Sequence, residues 1–157
     1  MDAVFDCSLG RELTQQEVAA LPPAPRGTVA ERKVRMRERI ETMRDRCFQA
    51  GFTVPSGPLA GKVLQTRDLE DRTNWLTSQA AYMAAISQGG GAVQAASFRT
   101  EGNETITVTY SEGFAALMMM AEWGKTVMGN SWALKDAVKE AGTHAALDAI
   151  DVTAGWP

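Results

Sequence analysis

From residue 28 onward the apolar positions follow two rhythms, one of three and four residues and one of two. Met36, Ile40, Met43 and Cys47 are spaced four, three and four, which lines them along one face of a helix. Thr28-Val29-Ala30-Glu31 has the capping-box form that opens such a helix, and Gly51 is placed to end it. Asp68 caps a second helix predicted to run to about Gln88, with Leu69, Leu76, Met83 and Ile86 as its recurring apolar positions. Gly89-Gly90-Gly91 breaks it. A third helix is expected from the cap Ser111, with Phe114, Leu117, Ala121 and Met128 in one stripe and Met120, Val127, Leu134 and Val138 beside it. Gly142 closes this helix, and Thr143 caps a last short one through Ile150.

The period of two appears where Ile106, Val108 and Tyr110 alternate with Thr105, Thr107 and Thr109. Residues 97–100 supply a partner strand across Glu101-Gly102-Asn103-Glu104, so a half-exposed hairpin is predicted. Two shorter strands, 52–54 and 62–65, flank a turn-rich segment. The fold class is therefore α+β: three long helices packed with short antiparallel hairpins around one core. No internal repeat of 20–50 residues is visible.

The first 27 residues read differently. Residues 4–7 and 11–13 are predicted strands around a turn at Gly10, and Thr14-Gln15-Gln16-Glu17 is a capping box for a short helix to about Leu21. Leu21-Pro22-Pro23-Ala24-Pro25 follows as a semi-rigid spacer, because each proline fixes φ and removes a donor. The chain thus divides into an arm, residues 1–27 with a small N-terminal β element, and a main domain, residues 28–157.

Composition narrows the possibilities without choosing among them. With 45% hydrophobic residues, 22% charged and a net charge of −3, the 157 residues suit a globular protein with no general demand for a polyanion. The longest wholly apolar run, residues 114–121, is far short of the roughly 20 needed to span a bilayer, so no membrane insertion is expected. The opening residues lack the basic and apolar regions of a signal peptide, which predicts synthesis in a cytoplasm. Cys7 and Cys47 have no metal or redox spacing and read as packing residues.

Catalytic chemistry finds little purchase. The sole histidine, His144, stands beside a helix start with no nucleophile motif around it. Asp71 follows a cap and complements a helix dipole, while Asp148 and Asp151 read as solvated positions. Gly124-Lys125-Thr126 lacks the earlier glycine and preceding strand of a phosphate loop. Neither enzyme activity, a metal nor a cofactor is expected.

Binding surfaces are better represented. Arg32, Lys33, Arg35, Arg37, Arg39, Arg44 and Arg46 crowd one helix, but Glu31, Glu38, Glu41 and Asp45 interleave with them. Pairs such as Glu31 with Arg35 and Glu41 with Arg44 fall at helical neighbour distance, which disfavours a nucleic-acid patch and favours a solvated or partner-facing helix. The later part of the chain is acidic, so copies are expected to meet basic face to acidic face. In Met118-Met119-Met120, Met118 and Met120 are expected inside and Met119 outside, unless the run with Trp123 forms a subunit contact. An ordered Trp156 implies a pocket on its own domain or on a neighbour.

The segment Leu147-Asp148-Ala149-Ile150-Asp151-Val152-Thr153-Ala154-Gly155-Trp156-Pro157 resembles the ending of a domain family of unknown biochemical function encoded in tailed bacteriophages and prophages, near tail-fibre and tail-tip proteins. The likeness extends upstream through Ala50-Gly51-Phe52-Thr53-Val54, Thr66-Arg67-Asp68-Leu69-Glu70-Asp71-Arg72 and Leu134-Lys135-Asp136-Ala137-Val138, covering roughly residues 28–157. The arm is similar to openings of phage tail-fibre and tail-fibre-assembly proteins.

The resemblance implies a structural component of a phage or phage-like tail, at the baseplate or fibre-attachment region, made in the bacterial cytoplasm and carried in the virion. Its partners would be other tail, fibre or baseplate proteins, in a homo- or hetero-oligomer. The alternative it implies is a tail-fibre assembly chaperone absent from the mature particle. The expected partner contacts are Val4, Phe5, Leu9 and Leu13 on the arm, Arg35 and Arg39 on the basic helix, and Met119, Trp123 and Trp156.

Overall fold

The computed structural model describes residues 27–157 and, ahead of them, two short strands, β1 (Phe5–Asp6) and β2 (Arg11–Glu12). These pair antiparallel, with Phe5 opposite Glu12. The predicted helix at 14–21 and the proline spacer lie outside the described residues.

Helix α1 spans Val29–Ala50 and begins as its capping box requires. The Thr28 hydroxyl accepts from the Glu31 amide at 3.2 Å, and the Glu31 carboxylate accepts from the Thr28 amide at 2.7 Å. After Gly51 the chain forms β3 (Phe52–Thr53), paired antiparallel with β4 (Val63–Leu64). Gly51 adopts φ +80°, and a Cβ there would meet Val63 Cγ1 at 2.7 Å and Leu64 O at 2.9 Å. The helix end can lie against β4 only because that atom is missing.

Helix α2 (Leu69–Ser87) starts at Asp68, whose carboxylate accepts from the Asp71 amide at 2.9 Å. Strands β5 (Gln94–Arg99) and β6 (Thr105–Thr109) form the predicted hairpin, with Phe98 opposite Ile106. Asn103 turns it at φ 61°. Helix α3 runs from Tyr110 to Glu140 and α4 from His144 to Asp148. The cap of α3 is Thr109 rather than Ser111, because Thr109 and Glu112 complete a reciprocal capping box that Ser111 has no partner to build.

The α+β class holds, but the core is double. One cluster gathers Phe52, Val54, Leu59 and Leu64 from the β3–β4 region with Ala96, Phe98 and Val108 of the larger hairpin, Tyr82 of α2, and Ala116 and Leu117 of α3. Phe98 is fully buried at its centre, with Trp75 stacked on it at 5.5 Å. The second cluster joins Met36 and Ile40 of α1 to Val138, Ala141, Leu147 and Val152. The 31-residue α3, about 45 Å long, is the beam that serves both.

Two further sequence expectations are corrected. The apolar positions Leu69, Leu76 and Met83 of α2 are 75%, 66% and 59% exposed, while Trp75 and Tyr82 face the core. A seven-residue spacing establishes that residues share a face and is silent on what covers it. In the methionine run Met118 is the exposed member, and Met119 and Met120 pack against the first cluster.

Candidate functional site

The face of α1 that carries Arg32, Arg35 and Arg39 looks onto the segment that follows α3. Arg32 pairs with Asp148 and also donates to the His144 carbonyl at 3.3 Å. Lys33 donates to the Lys139 carbonyl at 2.7 Å, and Glu41 pairs with Lys135 of α3 at 2.7 Å. Arg32, Lys33 and Glu41 of the basic helix are thus engaged with the later part of the same chain. Glu41 finds its hydrogen-bond partner across the helix interface instead of in Arg44, which pairs with Asp45 at 2.7 Å. Such half-exposed pairs contribute roughly 0–1 kcal/mol each, so burial of Met36, Ile40, Val138 and Leu147 supplies most of the docking energy.

Between α1 and the last segment lies a groove of about 460 Å³, lined by Arg32, Arg35, Met36, Arg39, Leu147, Asp148, Ile150 and Val152. Its floor is apolar and one wall carries three guanidinium groups. Asp151 bounds the segment by a tight turn, its carboxylate accepting from the Thr153 hydroxyl at 2.6 Å and the Thr153 amide at 2.9 Å. Those two hydrogen bonds, and secondarily the nearby Arg39, hold the Asp151 carboxyl below its usual range. Asp148 and Asp151 are thus structural groups and not merely solvated ones. Arg32 is held by Asp148, Arg35 lies near Glu31 and Arg39 near Asp151, so an incoming segment would share guanidinium donors already engaged within the chain. A guanidinium carries five N–H donors, and above an apolar floor they suit a protein segment that offers carboxylates beside aliphatic or aromatic side chains.

The expected contact residues separate into three groups. Val4, Leu9 and Leu13 lie outside the described residues, and Phe5 falls in β1. Arg35 and Arg39 are brought together in the groove wall. Met119, Trp123 and Trp156 turn inward. Met119 sits under the Ser56 hydroxyl at 3.6 Å, and Trp123 meets Phe48 edge-on at 5.6 Å and Phe52 at the same distance. Trp156 packs on the second core cluster, so its pocket is on its own domain.

Among the described residues no group of three or more His, Cys, Asp and Glu side chains is arranged to hold a metal ion, and no helix is long and apolar enough to cross a membrane. His144 Nδ1 is buried without a hydrogen-bond partner among them. Burial pushes the Cys47 thiol up, away from the thiolate a nucleophile needs.

Residues 31–154 match the family described as Domain of unknown function (DUF4376). The chain belongs to this family. No curated protein and no solved structure matches it. Every residue lining the arginine groove falls inside the DUF4376 region, whereas Trp156 and Pro157 follow it.

One surface escapes a reading based on periodicity alone. The outward side of α2 belongs to a stretch with no charged residue between Arg72 and Arg99, and that lack of charge is its signal in the sequence.

Proposed function

We propose that this chain is a structural component of a bacteriophage or phage-like tail, at the baseplate or fibre-attachment region, acting through protein–protein contacts and not catalysis. The observation that carries the binding role is the groove of α1, where Arg32, Arg35 and Arg39 stand over Met36, Leu147, Ile150 and Val152. Support for the tail setting comes from the resemblance of the 147–157 segment and its upstream companions to phage tail-region proteins.

In this reading the groove receives an acidic-apolar segment of a neighbouring tail, fibre or baseplate protein. The strand pair at 5–6 and 11–12 engages a second neighbour by adding to a sheet edge or filling a groove. The protein is made in the bacterial cytoplasm and ends in the virion.

Quantitative mass spectrometry on purified tail-bearing particles from the source of this chain tests the assignment. A fixed ratio to the tail-tube protein is expected. Abundant protein in the infected cell but none in the particle would instead favour the second reading, a tail-fibre assembly chaperone, for which the likeness of the arm to fibre-assembly proteins speaks.

A further inference from the structure

Helix α2 exposes a seam with an unusual order. Leu69, Thr73, Leu76, Ala80, Met83 and Ser87 follow one another at steps of four, three, four, three and four, and all six are exposed. That is the spacing of a left-handed helix pair. An ordinary solvent-facing helix carries charges on such a face. This one carries none from Thr73 to Ser87, in a chain whose charged residues number 35 (16 basic and 19 acidic). Gln79 Nε2 lies 3.0 Å from Met118 Sδ, and the 39%-exposed Met118 widens the apolar strip on one side.

The seam alternates large and small side chains, and this selects its occupant. Two copies of α2 laid antiparallel, with the two-fold axis at residue 78, place Leu76 opposite Ala80, Thr73 opposite Met83 and Leu69 opposite Ser87. Each large side chain then meets a small one, which lets the helices approach toward the close end of the roughly 8–10 Å range. A parallel pair would oppose Leu to Leu and Ala to Ala, alternating crowding with gaps. The antiparallel pair also sets Glu70 and Arg72 beside the partner's uncharged end, so no like charges face each other, and the helix dipoles oppose. The surface is complementary to itself, as a two-fold interface requires.

We propose that the chain self-associates through α2, as an antiparallel two-fold dimer in the register just given. Covering a 19-residue helix buries on the order of 600 Å² per copy, near the ~800 Å² per partner of a standard interface. The dimer is therefore reversible and concentration-dependent. This inference is independent of the tail assignment and goes beyond it.

Light scattering coupled to size exclusion should show a mass rising from 16.9 kDa toward twice that value as loading increases. Leu76→Lys, at an exposed position, should hold the protein at 16.9 kDa with an unchanged circular dichroism spectrum. A single-chain mass at every concentration, or a dimer that survives Leu76→Lys, would overturn the proposal. The register has its own test in a Cys7→Ser, Cys47→Ala background. Mixed Thr73→Cys and Met83→Cys proteins should form a disulfide-linked pair that neither forms alone; cross-linking of Thr73→Cys with itself would refute the antiparallel arrangement.

Discussion

The indole nitrogen of Trp156 donates a 3.0 Å hydrogen bond to the carbonyl of Val152, itself part of the second core cluster. Asn130 of α3 reinforces this by donating to the Ala154 carbonyl at 3.0 Å. The last segment, which helps to wall the arginine groove, is thereby tied back to α3. Trp156→Ala removes both the ring and the hydrogen bond, and should lower stability by about 2 kcal/mol, less than a fully buried indole costs. Chemical denaturation would show it, and a loss under ~0.5 kcal/mol would mean the ring contributes little to the fold.

Gly113 lets α3 lie close against the larger hairpin and α2. A Cβ there would meet Ala96 Cβ at 2.8 Å, Phe98 Cε2 at 3.1 Å and Tyr82 Cε2 at 3.2 Å. Alanine improves helix propensity by about 1 kcal/mol, but overpacking costs ~1–3 kcal/mol. The balance for Gly113→Ala should be destabilising, and more so for Gly113→Val, read as a lower urea midpoint.

Ser131 is buried on α3, and its hydroxyl has no hydrogen-bond partner among the described residues. Removing an unsatisfied hydroxyl relieves a desolvation cost, and alanine is the better helix former. Ser131→Ala should be neutral or stabilising by up to ~1 kcal/mol. A clear loss in thermal stability would show that the hydroxyl has a partner after all.

Acid should weaken the two capping boxes. The Glu31 carboxyl lies below its ordinary value of 4.5, first through the hydrogen bond from the Thr28 amide and then through the Thr28 hydroxyl. Glu112 is lowered likewise, first by the Thr109 hydroxyl and then by the Thr109 amide. A carboxyl depressed in the folded state stabilises fully above its unfolded value, and that contribution disappears as pH falls through the folded one. The thermal midpoint should therefore fall as pH drops below 4.5, and Glu31→Gln with Glu112→Gln should reduce that slope. An unaltered slope in the double variant would assign the acid sensitivity to other groups.

Neutralising charge in the groove separates binding from folding. Arg35 lies near Glu31 and Arg39 near Asp151, both at exposed positions, so Arg35→Gln with Arg39→Gln should leave the circular dichroism spectrum unchanged and lower the thermal midpoint only slightly. Incorporation into particles, measured by mass spectrometry, should fall at least about tenfold, as expected for the loss of charge-assisted contacts. Normal incorporation would remove the groove from the proposed function.

Much of this architecture is written in local chemistry. Thr28 and Glu31, Asp68, and the alternating residues at 105–110 specify where α1, α2 and β6 begin, because caps and pleats depend on atoms only a few positions apart. The crowding of arginines on α1 and the absence of charge between Arg72 and Arg99 are equally plain in the sequence. Tertiary structure alone decided which faces are covered. It turned Trp75 and Tyr82 toward Phe98 and left Leu69, Leu76 and Met83 outside, and it divided the core into two clusters along α3. It also joined Arg32 to Asp148 across 116 residues, forming the groove. Periodicity records only which residues share a face; burial depends on what the rest of the chain, or another chain, brings against it.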